Sequence, residues 1–330
     1  MEDGRLVSRH NANMNVLVLG CGSIGRRHIH NLVNFNEIKR IFVYTKSKDC
    51  FNTLDNSSRK IEAVKSIAGV SADFALICNQ TKKHLKDAIN LAQRGLHIFI
   101  EKPLSVNLNN VSKLEKIVSR KKIKFAVGYN LRFLKALEYI KTKLAAGDIG
   151  DLYFARIEVG QYLPDWRKSI DYRKSYSAKR KEGGGVALDL SHEIDYMRYL
   201  FGDPVDWMVI NTRVSKLKID SDDIFEGLYR YGNNFVCSVH LDYLEPQKRR
   251  QLRIVGSAGV ILLDLVKAEI KIQKPGRKEK VLKGGKYFDL NRTYVDELVD
   301  FMASIKTKKS PRVTINDGIK ALELLRKNNV

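Results

Sequence analysis

The sequence predicts an α/β chain in two parts: a parallel sheet covered on both faces, then an α+β part built on an antiparallel sheet. Three observations predict it. From Asn15 to about Asn130, short continuous apolar runs alternate with amphipathic segments, as strands buried on both faces and their covering helices do. Farther on, apolar and polar residues alternate one by one between turns at GNN and GSAG, the pattern of a sheet with one packed and one freer face. At 330 residues the chain is also long for a single core.

In order, the strands of the first part are NVLVLG, RIFVYT, FALICN, HIFIEKP and KFAVGYN, and its helices are IGRRHIHNLVNF, KKHLKDAINLAQRG and NNVSKLEKIVSRKK. The helix-like FLKALEYIKTKLAAG opens the second part. It continues through the alternating segments DLYFARIEVGQY, DWMVINTRVSKLKI, IFEGLYRYGNNFVCSVHLDYL, QLRIVGSAGVILLDL and AEIKIQK, and closes with the helices NRTYVDELVDFMASIK and NDGIKALELLRK. The change of texture divides the chain at 14–126 and 127–330, and the polar residues 1–13 ahead of Met14 read as a disordered extension.

Hydrophobic residues make up 44% of the chain, yet no apolar run approaches the length of a membrane span, about 18 residues. No signal-peptide pattern precedes the first strand. Cys21, Cys50, Cys78 and Cys237 are scattered with no CxxC pair, so reduced thiols in a cytoplasmic protein are expected, without a disulfide frame or a metal site. The formal charge of +22 is spread in short lysine and arginine runs without a nucleic-acid-binding pattern. It fits general composition or the steering of an anionic small molecule, and neither a nucleic-acid nor a membrane partner is expected.

The first strand runs into Gly20-Cys21-Gly22-Ser23-Ile24-Gly25, a GxGxxG between a strand and a helix. In that place the pattern reads as a dinucleotide loop: the chain turns tightly and backbone N–H groups face a pyrophosphate at a helix N-terminus. An acidic residue commonly ends the second strand and holds the adenosine ribose. Here Thr45, Lys46 and Ser47 stand there, with Asp49 too late, and hydroxyls plus a cation suit a 2′-phosphate. NADP is therefore favoured slightly over NAD.

Two further stretches carry ionisable chemistry. Glu101-Lys102-Pro103 ends a strand at the edge where open α/β sheets bind ligands. GGGVALDLSHEID, from Gly183 to Asp195, runs three glycines into an apolar helical stretch holding Asp189 and His192. Positions i and i+3 share a helix face, so both side chains can point inward.

Together these motifs resemble the Gfo/Idh/MocA oxidoreductases, relatives of glucose–fructose oxidoreductase and inositol dehydrogenase, over about residues 14–330. The resemblance rests on the glycine loop, Cys78-Asn79-Gln80-Thr81 with His84, Gly95-Leu96-His97 leading into EKP, Gly128-Tyr129-Asn130, and GGG followed by an Asp/His pair. It implies a Rossmann domain, then an α+β domain with a large open, mostly antiparallel sheet that forms homodimers or homotetramers, and hydride transfer at a sugar-like carbinol. It also implies that Gly20, Gly22, Ser23, Ile24, Gly25, Cys78, Asn79, Thr81, His84, Glu101 and Asn130 line the cofactor, and that Lys102 contacts nicotinamide and substrate. His192 would take the hydroxyl proton, Lys102 would stabilise the oxygen, and Asp189 would orient substrate or imidazole. Many members have three residues between this Asp and His; here there are two, which leaves the role of Asp189 less defined.

Ahead of the Asp/His pair, QYLPDWRKSIDYRKSYSAKRK is rich in aromatics and cations. Tyr162, Trp166, Arg167, Arg173 and Tyr176 offer stacking faces and anion donors for a carboxylated or phosphorylated sugar, with Tyr129 and Arg132 also on the substrate side. The texture is similar to members from surface-polysaccharide or nonulosonic-acid pathways. An NAD-dependent glycosidase of the same family and a non-catalytic cofactor sensor are the other readings.

Overall fold

A computed structural model describes residues 13–47, 50–53, 59–167 and 170–326, so nearly all of the extension expected at 1–13 lies outside the described residues. The first part comprises β1 (Met14–Leu19), α1 (Ser23–Val33), β2 (Ile38–Tyr44), α2 (Cys50–Thr53), β3 (Ile61–Ala63), β4 (Phe74–Ile77), α3 (Thr81–Gln93), β5 (His97–Glu101), α4 (Val111–Arg120) and β6 (Phe125–Gly128). Its strands form a parallel sheet in the order β3-β2-β1-β4-β5-β6. Along β1, Val16 and Val18 pack into one core while Leu17 and Leu19 pack into the other. Burial on both faces is why these strands read as unbroken apolar runs. The strand order reverses between β1 and β4, and the crevice there opens at the carboxyl ends of the strands, where ligands bind in such sheets. β3 was not foreseen, because its three residues, IEA, carry no apolar run.

The rest of the chain comprises α5 (Lys135–Ala145), β7 (Leu152–Gly160), α6 (Val186–Asp189), α7 (His192–Phe201), β8 (Asp206–Thr212), β9 (Ile224–Arg230), β10 (Val236–Asp242), β11 (Arg249–Gly256), β12 (Gly259–Asp264), β13 (Glu269–Gln273), β14 (Lys280–Lys283), α8 (Leu290–Lys306) and α9 (Ile315–Leu324). The eight strands lie in the order β14-β13-β12-β11-β7-β10-β9-β8. Within this sheet, among the described residues, only the β7–β10 pair is parallel. Strand alternation sorts its residues: Ala155, Ile157, Val239, Leu241, Leu252 and Ile254 enter the core, whereas Met208, Ile210 and Leu228 lie exposed on the other face.

Two features depart from a clean division near residue 126. β6 carries the first sheet to Gly128, and α8 returns to that sheet. Leu298, Phe301 and Met302 join the core beneath β1 and β4, with Phe301 edge-on to Phe74 at 5.5 Å and to Phe99 at 5.7 Å. Truncating a ring packed this way costs about 3–5 kcal/mol, so the first core depends on a helix encoded near the end of the chain.

Candidate active site

The glycine loop leaves β1 at Gly20, whose φ of +98° suits glycine; a Cβ there would also lie 2.7 Å from the Asn79 backbone. Gly25, buried in α1, packs against the Gly20 carbonyl. Gly22 differs: a Cβ there would meet nothing within 4 Å. That open space faces the start of α1, where Ser23 and Ile24 begin the helix and no acidic residue occupies the first turn. An approach to bare backbone at a helix N-terminus fits a pyrophosphate. After β2, the Thr45 hydroxyl accepts from the Ser47 N–H at 3.1 Å and Lys46 is exposed. Asp49 lies outside the described residues.

The cysteines overturn the expectation of four reduced thiols. Cys21, inside the glycine loop, is disulfide-bonded to Cys50 at the start of α2, with Cα atoms 5.7 Å apart. Parallel pairing of β1 with β2 sets the segments after them side by side, an approach that spacing along the chain does not reveal. Cys78 and Cys237 are free and buried.

Around β4 and β5 several residues expected on the cofactor hold one another. Asn79 Nδ2 donates to Asp87 at 2.7 Å, and its Oδ1 is buried without a partner among the described residues. That orphan acceptor suits a ligand donor in the crevice. His84 lies between the carbonyls of Pro103 (2.9 Å) and Asn79 (3.0 Å), and burial lowers its pKa. It therefore braces the loops after β4 and β5. Asn130 is buried and donates to Thr293 on α8 at 2.6 Å, so the structure makes it a link to α8 and does not bring it to the crevice surface. Thr81 is buried beside Gly183, where the GGG segment meets α3.

Glu101 is anchored from behind. Its Oε1 meets His28 Nε2 at 2.6 Å, and one oxygen or nitrogen each of His28, Glu101 and Glu297 lies within 4.8 Å of the others. Glu297 is 2% exposed and neither oxygen has a partner among the described residues. Burial first, and then the Glu101 charge, push its pKa well up.

Lys102 Nζ donates to the backbone carbonyl of Asp189 at 2.5 Å. Burial lowers its pKa, against the opposing pull of Asp189, Glu101 and Glu193. The Asp189 carboxylate accepts from the Tyr243 hydroxyl at 2.6 Å, and Tyr176 stands beside it, its own pKa raised chiefly by the Asp189 charge. Asp189 and His192 do not share one continuous helix, correcting the i, i+3 expectation. α6 ends at Asp189, Leu190 leaves helical geometry, and α7 begins at His192. The GGG segment makes this tight entry possible: Gly185 has φ +122°, and a Cβ there would collide with the Asp222 carboxylate. His192 lies edge-on to Tyr129 at 5.7 Å, and its Nδ1 is buried without a partner among the described residues. Burial, then the charges of Lys102 and Arg250, push its pKa well below the ordinary imidazole value. The ring is therefore neutral at pH 7, a form able to accept a proton.

The expected substrate residues separate. Tyr129 is fully buried beneath His192. Arg132 is not brought to the cleft: its guanidinium grips Asp195 at 2.8 and 2.7 Å and Asp317 at 3.0 Å. Removing one member of such a buried pair costs about 3–5 kcal/mol, so its role is structural. Arg173 is exposed and clamped to Asp171 within its own loop, at 2.8 Å. Trp166 lies edge-on to Tyr243 at 5.1 Å, and Arg167 lies over the Tyr176 ring at 5.6 Å. Those three expected residues, Trp166, Arg167 and Tyr176, thus gather around the Asp189 cluster, whereas Tyr162 is partly exposed at the loop start.

Sequence reading missed Tyr243, Arg250, Glu193, His28 and Glu297. Arg250 left a signal: in RRQLRIVG it occupies the same alternate positions as Leu252 and Ile254, so a cation stands where the core face should be apolar.

Comparison with known proteins shows the family and the fold. Residues 14–129 match the family described as oxidoreductase family, NAD-binding Rossmann fold, and residues 137–262 match the GFO/IDH/MocA C-terminal domain. The chain is 25% identical to the myo-inositol 2-dehydrogenase of Thermotoga maritima, covering 94% of each chain. Its fold is similar to levoglucosan dehydrogenase in complex with NADH and levoglucosan (TM-score 0.81, 20% identity, 95% of each chain). It is also similar to the WlbA dehydrogenase of Bordetella pertussis in complex with NADH and UDP-GlcNAcA (TM-score 0.80, 17% identity, 95% of this chain and 93% of that one). Among the described residues no helix is long and apolar enough to cross a membrane.

Proposed function

Because the chain belongs to the Gfo/Idh/MocA family of oxidoreductases, we propose that it transfers hydride between a nicotinamide and a carbinol or ketone carbon of a sugar or sugar derivative. The observation that carries this reading is the convergence of Lys102, the Asp189 segment and a neutral His192 at the carboxyl edge of the first sheet. In the oxidising direction His192 takes the hydroxyl proton. Lys102 keeps donors beyond the one spent on Asp189 and offsets charge growing on the substrate oxygen. Asp189, held by Tyr243, fixes the carbonyl that orients Lys102. In the reducing direction the imidazolium returns the proton.

Three finer statements belong to the same proposal. NADP is favoured over NAD, supported by exposed Lys46 between Thr45 and Ser47. The substrate is anionic, supported by the +22 charge balance and by Arg167 beside the Asp189 cluster. The protein assembles as a homo-oligomer through the open face of the second sheet, supported by exposed Met208, Ile210 and Leu228.

The test is nicotinamide absorbance with a panel of inositols, sugars, sugar acids and nucleotide sugars, supplied with each cofactor in each direction. Turnover with at least one sugar-type compound, abolished in Lys102→Ala, is expected. Cofactor binding without hydride transfer to or from any of them would overturn the reading. Glycoside cleavage without net cofactor turnover would do the same.

A further inference from the structure

Arg250 is the cation that this cleft holds and the reaction does not yet use. As the second residue of β11 it projects toward the covered side of the sheet, opposite Val159 on β7. Its Nε donates to Glu193 Oε1 at 2.8 Å. Glu193 is fully buried and directly follows His192, so the ion pair fixes the guanidinium beside the start of α7. One of five guanidinium donors is thereby spent. Nη2 is buried without a partner among the described residues, and the side chain still keeps 23% of its surface accessible. Burial costs this guanidinium desolvation, which the Glu193 charge and hydrogen bond outweigh, so its pKa is raised and Arg250 stays charged beside His192. Its charge reaches both Lys102 and His192, lowering the proton affinity of each. Two cations thus face an imidazole that must itself become cationic when it accepts the carbinol proton. A bound anion would relieve that conflict.

We propose that Arg250 anchors a carboxylate of the substrate, carried close to the carbinol that His192 and Lys102 address, which makes the preferred substrate class a polyhydroxy acid such as a uronate. The inference rests on the anionic-substrate reading and relocates its anchor from the aromatic loop to the sheet. Arg173, the other expected anchor, is exposed and already committed to Asp171. A planar fork fixed by Glu193 matches a carboxylate in geometry and charge.

Calorimetry on the cofactor-loaded protein tests this, with D-glucuronate, D-glucose and D-glucose 6-phosphate as probes. Glucuronate should bind about 10–100-fold more tightly than glucose, the range expected of a charge-assisted hydrogen bond in a desolvated site. Arg250→Met should erase that ratio, and Arg250→Lys should reduce it while keeping a charge on Glu193. Because Arg250→Met strands a buried carboxylate, the double variant Arg250→Met/Glu193→Gln is measured beside it, with melting curves for both. A ratio retained in a folded double variant overturns the assignment. A ratio lost in Arg167→Ala but kept without Arg250 also overturns it, while leaving the anionic reading intact. Glucose 6-phosphate binding more tightly than glucuronate would replace carboxylate by phosphate and overturn the substrate class. If the unmodified protein binds all three alike, the anionic reading itself falls.

Discussion

His192 and Glu297 show how burial sets the working state of single groups. His192 is neutral because the cleft desolvates it and two cations face it, so acid must go below the ordinary imidazole value, about 6.5, before the base is lost. We expect kcat/KM to hold on acidification through pH 6.5 and to fall only lower, as a pH–rate profile would show. His192→Asn should lower turnover by ~10²–10⁴-fold, with melting temperature and cofactor Kd nearly unchanged. Glu297 has the opposite sign. Its carboxyl stays protonated in the folded chain while the unfolded chain ionises near its usual value of about 4.3. Stability is therefore lost as pH rises through that value toward the folded pKa. Glu297→Gln keeps the shape without the titration, so it should raise the melting temperature at pH 8 and change it little at pH 4. Each kcal/mol relieved is worth roughly 2–4 °C in a chain of this order of size. A melting temperature that falls equally at both pH values would mean that an ionised Glu297 is needed.

At the scale of elements, the segment after β2 carries the cofactor prediction. Lys46 sits within a Thr45–Ser47 turn that fixes the backbone locally. If its ammonium meets a 2′-phosphate, Lys46→Ala should weaken NADP binding about tenfold and leave NAD nearly unchanged. Equal affinities in the unmodified protein would remove the argument. How well elements could be read from the sequence follows their physics. Strands of the first sheet are buried on both faces and announce themselves as apolar runs, and the glycine loop, EKP and GGG motifs are contiguous in the chain. What is assembled across the chain stayed hidden. The Cys21–Cys50 bond forms because neighbouring strands are parallel, and Arg132 reads as an available cation until Asp195 and Asp317 are folded around it. Asp189 and His192 read as one helix because no glycine or proline marks the break at Leu190. Arg250 is the intermediate case: its register position was visible, but its partner Glu193 was not.

At the scale of the molecule, the second sheet is covered by helices on one side only among the described residues. Met208 on β8 lies directly opposite Leu228 on β9, and both are substantially exposed, at 64% and 47%. Replacing both by Glu places two like charges on facing strands without touching the core. Light scattering should show the unmodified protein as a dimer or tetramer and Met208→Glu/Leu228→Glu as a smaller species. An unmodified protein that scatters as a monomer would end the assembly proposal.

The return of α8 to the first sheet has a consequence for how the protein is made. During synthesis the glycine loop, β4 and β5 leave the ribosome early, but the face holding Phe74 and Phe99 stays uncovered until Phe301 follows. The cofactor-binding half therefore cannot finish folding on its own and must wait, with an apolar face open, for nearly the whole chain. That interval is when aggregation and chaperone capture compete with folding. A chain stopped before α8, at residue 288, should bind a hydrophobic dye and precipitate on release. Recovery of a soluble, cofactor-binding fragment of that length would show that the first core closes without its last helix.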